Sequence, residues 1–215
     1  LNKIQSIKTR KIKNFKKRIY LIPNYDQNIL IREANLFCEW YTKKKLTKLM
    51  QIKFSIKFKK IVKRLVTNLK LKNNVFVHRD FHVSNLMLVN NQIGVIDSQD
   101  ALIGNRAYDL ASLIDDVRLK TSKSLKNKIY KLYINKQRKL NEHKFKNDFE
   151  ILSILRNLKI IGIFTRLAIR DGKKDYLKLI PYAWTLIGLR INQNKIFQDL
   201  KNLLNKNFKK KLNEN

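Results

Sequence analysis

The sequence predicts an α+β fold that is mostly helical, with a small β-hairpin insertion. Apolar residues recur at helical spacing over long stretches on either side of residues 75–96, whereas within that window they fall in short runs. Five Gly and two Pro among 215 residues leave few of the tight turns that an all-β chain needs. Hydrophobic residues make up 44% of the chain, enough at this length for a sizeable core, and residues 1–215 read as one domain.

Residues 1–18 are rich in Lys and Arg with interspersed Ile and read as a basic amphipathic helix. Ile19–Asp26 holds Pro23 and reads as an extended connection. Leu30, Ala34, Phe37 and Tyr41 then form one helical stripe, with Cys38 and Trp40 on its flanks. Phe54, Phe58, Ile61, Leu65 and Leu69 form another. At Asn73–Asn74 the texture changes. Val75–Val77 is β-like and leads into a loop over His78–Asn85. Leu86–Val89 and Gln92–Ile96 read as two short strands joined by Asn90–Asn91, because asparagine tolerates the positive φ of a two-residue turn. Helices are expected over Ala107–Val117, Ser122–Asn141, Asn147–Arg170, Pro181–Ile191 and Ile196–Phe208, with a polar, frayed tail over Asn205–Asn215. His143 falls in a polar loop and takes no role.

The formal charge of +32 invites a nucleic-acid reading. Lysine far outnumbers arginine, however, and the lysines spread over nearly every polar helix face. With abundant Asn and Ile, this is the pattern of an A+T-rich coding bias, so a solvated surface is expected and no specific nucleic-acid partner. The most apolar run, Ile151–Ile169, contains Arg156, Lys159 and Arg166 and reads as a buried helix and not a membrane span. Cys38 is the single cysteine, which excludes an internal disulfide and fits a reducing compartment. Residues 1–20 contain no apolar core of signal-peptide type, so a cytoplasmic location is expected.

Function is expected where the charge pattern reverses. No lysine occurs between Lys72 and Lys120, yet six of the sixteen acids (Asp80, Asp97, Asp100, Asp109, Asp115 and Asp116) fall within residues 75–117. Magnesium takes hard oxygen ligands, and ammonium groups would compete for them. Within this window His78-Arg79-Asp80 and Asn85 form H-x-D-x-x-x-x-N, followed by Asp97 at a strand end. Phosphoryl transfer needs an acceptor hydroxyl aimed in line and neutralised phosphate charge. Asp80 is expected to orient the hydroxyl and take its proton late, since a carboxylate is too weak a base to strip an alcohol beforehand. Asn85 offers a neutral amide oxygen to Mg²⁺. Asp97, returned by the hairpin, offers the anionic ligand that bridges metal and phosphates. His78 is read as tying the loop to the core. His82 either braces the loop or touches substrate. Asp100 either ligates the metal or substrate, or caps the following segment. Asp109, at the start of a helix, is expected to accept backbone N–H groups of the catalytic loop, and Asp115 and Asp116 to be solvated.

These residues resemble the aminoglycoside phosphotransferase and choline kinase superfamily, which has a protein-kinase-like fold. The histidine two after the catalytic aspartate, here His82, is common in its small-molecule kinases. The runs IDSQDALIGNRAYDLASLIDD, REANLFCEWY and IIGIFTRLAIRDGKKDYL are closer to the bacterial anomeric kinases of N-acetylmuramate and N-acetylglucosamine. The resemblance covers Leu30 to Ile191. It implies Asp80 as catalytic base, Asn85 and Asp97 on Mg²⁺, ATP as donor, and the anomeric hydroxyl of a small cell-wall amino sugar as acceptor. An aminoglycoside or another small alcohol is the alternative acceptor, and a non-catalytic kinase-like binding protein the alternative class. Ser98 stands where an aromatic is expected and Asn105 where a proline is expected. Such kinases carry an N-terminal β lobe with a phosphate-covering loop. The five glycines here form no such loop and no β-rich segment precedes Leu30, so the chain is expected to be the C-terminal catalytic lobe, with negligible turnover by itself.

Overall fold

The computed structural model describes residues 1–13, 15–137, 139–208 and 212. It divides into two compact units, each built from separated stretches: Leu1–Asp26 with Lys70–Phe149, and Gln27–Leu69 with Glu150–Asn215.

The first unit opens with a short helix, α1 (Asn2–Gln5), and an antiparallel pair, β1 (Lys11–Lys13) and β2 (Ile19–Leu21), with Ile12 opposite Tyr20. The basic helix expected over residues 1–18 is therefore not formed. Like charges three or four residues apart, such as Lys8/Lys11, Arg10/Lys13 and Lys13/Lys17, repel on a helix surface and are relieved in extended chain. Strand β3 (Asn73–Val77) starts the central part. It is followed by a single 3₁₀ turn (Val83–Asn85) and by β4 (Leu86–Val89) and β5 (Gln92–Val95), which pair antiparallel. Asn90 and Asn91 between them stand at φ of 48° and 59°, as a primed hairpin turn requires. Strand β6 (Leu102–Asn105) lies antiparallel to β3, with Val77 opposite Leu102. It is buried throughout and has no two-residue alternation, so sequence reasoning missed it.

Helix α5 (Ala107–Ile114) ends before Val117, and α6 (Lys123–Asn135) before Asn141. The Ser122 hydroxyl caps α6 by accepting the Leu125 N–H at 3.1 Å. Helix α7 (Glu142–Arg170) begins earlier than expected because Asn141 accepts the Lys144 N–H at 2.9 Å, which places His143 in its first turn and not in a loop. Tyr130 and Tyr133 of α6 pack on Phe149 and Phe145 with ring centroids 5.2 and 5.3 Å apart.

The second unit begins with α2 (Gln27–Leu36), a π-helical turn (Phe37–Thr42) and the short α3 (Lys43–Lys45). Leu30, Ala34, Phe37 and Tyr41 are all buried. Gly162 of α7 makes the close approach to this turn possible: a Cβ there would lie 2.4 Å from the Leu36 carbonyl carbon. Helix α4 (Lys48–Thr67) buries Phe54, Phe58, Val62, Leu65 and Val66. Val62 takes the inner position expected for Ile61, and Leu69 lies past the helix end. Helix α8 (Ile180–Ile191), with Pro181 in its first turn, and α9 (Gln198–Asn207) complete the unit. Phe37 is its centre, with ring centroids of Tyr41, Phe54, Phe58, Trp184 and Phe208 between 5.2 and 6.0 Å away. The expected frayed tail is partly overturned. Asn205–Asn207 finish α9 and both Phe208 and Leu212 are buried, while residues 209–211 and 213–215 lie outside the described residues. Among the described residues no helix is long and apolar enough to cross a membrane.

Candidate active site

Every candidate site residue lies in the first unit. The loop leaves β3 at His78, and Arg79 turns the chain sharply at φ of 73°, a region non-glycine residues rarely occupy. Asp109 holds this turn. It is fully buried in the first turn of α5, and its two oxygens accept the N–H groups of His78 at 2.8 Å and Arg79 at 3.0 Å. Such charge-assisted bonds, with the helix dipole, are what allow a carboxylate to be buried. The Arg79 guanidinium donates to the Asp100 carbonyl at 3.0 Å and lies 5.4 Å over the Tyr25 ring. His78 is buried, with Nε2 3.0 Å from the Ile96 carbonyl, so the start of the loop is joined to the end of the hairpin.

The middle of the loop closes on itself. The His82 N–H donates to the Asp80 carbonyl at 3.0 Å and the Asn85 N–H to the His82 carbonyl at 2.9 Å. Asn85 Nδ2 donates to the Asp80 carbonyl at 3.0 Å and reaches Asp97 Oδ2 at 3.5 Å. That commits the amide nitrogen to the protein and leaves Oδ1 as the atom able to serve a cation. Asp97 sits at φ of 68° just past β5, exposed, with Oδ1 accepting Gln99 Nε2. Asp80, half-buried, brings its backbone carbonyl to the Asn85 side chain, which also reaches Asp97.

Other candidates are placed differently. His82 is buried within the loop. Asp100 enters the site through its backbone carbonyl, and its carboxylate is exposed. Among the described residues no three His, Cys, Asp or Glu side chains cluster as a metal site. A divalent cation here would rest on Asn85 Oδ1, the Asp97 carboxylate and oxygens of its own ligands. Hard oxygens with few carboxylates are a donor set that suits Mg²⁺, so the residues fit it.

Asp115 and Asp116 correct the sequence reading: both are buried, not solvated. The Asp115 carboxylate lies 3.3 Å from Lys126 Nζ, and Lys126 also donates to the Ile114 carbonyl. Asp116 accepts the Val83 N–H at 3.1 Å. The acid-rich, lysine-free window was the only trace of these roles in the sequence. Asn105 is tied in as well. Its Nδ2 donates to Asp148 at 2.6 Å and its Oδ1 accepts the Ala107 N–H at 3.0 Å, bracing the start of α5. Asp148 in turn accepts the N–H groups of Lys70 and Leu71, each at 2.8 Å.

Comparison with known families matches residues 22–141 to the phosphotransferase enzyme family, a span that includes the whole loop, the hairpin and α5. The chain belongs to that family. Within it, the chain is 37% identical over 167 residues to the N-acetylmuramate/N-acetylglucosamine kinase of Neisseria meningitidis, an alignment covering 75% of this chain and 50% of the relative. It is 30% identical over 190 residues to the protein of that name from Pseudomonas aeruginosa, covering 86% and 56%. The Pseudomonas putida protein is 28% identical over 189 residues, covering 85% and 56%. The chain therefore spans about half the length of these curated relatives.

Proposed function

We propose that this phosphotransferase-family chain carries the catalytic loop of an ATP- and Mg²⁺-dependent kinase of N-acetylmuramate or N-acetylglucosamine, acting at the anomeric hydroxyl. In this reading the chain corresponds to the C-terminal lobe of a protein-kinase-like enzyme, with the β4–β5 hairpin returning Asp97 to the loop. The observation that carries it is the Asn85 side chain held between the Asp80 carbonyl at 3.0 Å and the Asp97 carboxylate at 3.5 Å. The acceptor rests on the names of the relatives.

Asp80 orients the acceptor hydroxyl towards the γ-phosphorus and takes its proton as the new O–P bond forms and the bond from the γ-phosphorus to the β,γ-bridging oxygen breaks, releasing ADP. Asn85 Oδ1 and the Asp97 carboxylate, the latter steadied by Gln99, are the groups that would hold Mg²⁺. When bound, the ion would supply positive charge against the phosphate oxygens. Asp109 and His78 keep the loop in place, since a small misplacement of an in-line nucleophile is costly.

The test is phosphorylation of N-acetylmuramate, N-acetylglucosamine and an aminoglycoside by an enzyme containing this chain, followed by ³¹P NMR. An anomeric phosphate doublet on an amino sugar is expected. Asp80→Asn is expected to lower turnover by about 10²-fold or more, the usual worth of a positioned base. Near-normal turnover of that variant overturns the assignment of Asp80, and phosphorylation of the aminoglycoside alone overturns the acceptor.

A further inference from the structure

The 3₁₀ turn that ends in Asn85 begins at His82, whose side chain makes no capping bond. The first N–H of such a turn has no partner within it. Here that N–H, on Val83, is received at 3.1 Å by Oδ2 of Asp116, thirty-three residues further along the chain. The second oxygen of Asp116 accepts both the Arg118 N–H at 3.1 Å and the Arg118 guanidinium at 3.2 Å. These contacts fix the plane of the carboxylate. Asp116 is 1% exposed.

Asp115 is equally buried, with its carboxylate 3.3 Å from Lys126 Nζ. Asp109 secures the entry to the loop at His78 and Arg79, and Asp116 secures the turn that presents Asn85. The approach of Asn85 Nδ2 to Asp97, at 3.5 Å, is at the outer limit of a hydrogen bond. A small drift of the turn would break it.

We propose that Asp116 is a positioning residue: capping the Val83–Asn85 turn from outside, it sets where Asn85 meets Asp97 and so the affinity of that pair for a divalent cation. The metal half of this proposal rests on the reading of Asn85 and Asp97 given above; the capping half does not.

The experiment uses the 215-residue chain with Mn²⁺ as probe, read by electron paramagnetic resonance. Hydrogen exchange at Val83–Asn85 and thermal midpoints are measured in parallel, for Asp116→Asn, Asp116→Ala and the control Gly162→Ala. Asp116→Ala is expected to weaken Mn²⁺ binding by about 10- to 100-fold, the usual effect of removing a partner of a metal ligand. It is also expected to speed exchange at Val83 by about 10-fold, as one lost hydrogen bond would. Asp116→Asn, which keeps one acceptor oxygen, falls between. Gly162→Ala, whose added Cβ would meet the backbone of Leu36 and Phe37, lowers the thermal midpoint but leaves Mn²⁺ affinity and loop exchange unchanged, which separates positioning from general destabilisation. Equal weakening by Gly162→Ala, or unchanged Mn²⁺ affinity in Asp116→Ala, overturns the proposal. If the wild-type chain binds no Mn²⁺, the divalent-site reading fails, and unchanged exchange at Val83 in Asp116→Ala then overturns the cap as well.

Discussion

Removing the Asp109 carboxylate would leave the N–H groups of His78 and Arg79 without the oxygens they now reach at 2.8 and 3.0 Å. Both lie where water is largely shut out, so each unpaired donor is costly. Asp109→Ala is expected to lower unfolding free energy by roughly 2–4 kcal/mol in a denaturant titration. A loss below about 0.5 kcal/mol, the range of an ordinary surface change, would show that the carboxylate does not hold the loop. Two other buried groups set an alkaline limit. Burial pushes the Cys38 thiol from 9.0 up to about 12 and the Tyr133 phenol from 10.0 up to about 12. Above pH 9 the unfolded chain releases protons that the folded chain retains, so folding is favoured less as pH rises. The full contribution is present below pH 9 and is lost progressively towards pH 12. Cys38→Ser is expected to flatten the portion that starts at pH 9; a stability profile unchanged between pH 8 and 11 in the parent chain would contradict this. The lone cysteine was legible as lying on the flank of a helical stripe, and it is buried there. The loop N–H groups that Asp109 and Asp116 accept come from chain far from each of them.

At the scale of elements, the close approach of α7 to the π-helical turn hangs on one missing methyl. A Cβ at Gly162 would meet the Leu36 carbonyl at 2.4–2.5 Å and the Phe37 nitrogen at 2.6 Å, all backbone atoms that cannot rotate away. Gly162→Ala is expected to cost about 1–3 kcal/mol or more, measured as a fall in the denaturation midpoint. Tolerance of alanine there would mean the turn yields easily. The helical stripes were readable in advance because period 3.6 is a local property, as Leu30, Ala34, Phe37 and Tyr41 show. Asn90–Asn91 was readable because positive φ is a property of the residue type. β6 was not, since its burial comes from pairing with β3 and its sequence is a short apolar run holding a glycine. Residues 1–18 misled because apolar spacing was weighed and like-charge repulsion was not.

For the molecule as a whole, the charge of +32 is carried by lysines that avoid one window and crowd everywhere else. The chain is expected to be retained on immobilised double-stranded DNA at low salt and released steeply as salt rises, without preference among sequences, because counterion release is blind to bases. A footprint on one sequence that survives physiological salt would reverse that view. Within residues 75–117, where no lysine occurs, the acidic side chains take backbone N–H groups and the Arg118 guanidinium, while Lys126 reaches Asp115 from α6.

Sequence by itself determined which helix faces turn inward and which residues are candidates for the chemistry, because spacing and residue type are local. Asp80, Asn85 and Asp97 are such candidates. Tertiary structure decided which carboxylates are buried and what each one holds. The free energy of a buried charge depends on the donors that distant segments place around it, and only the folded chain brings Val83 to Asp116, Lys126 to Asp115 and His78 to Asp109.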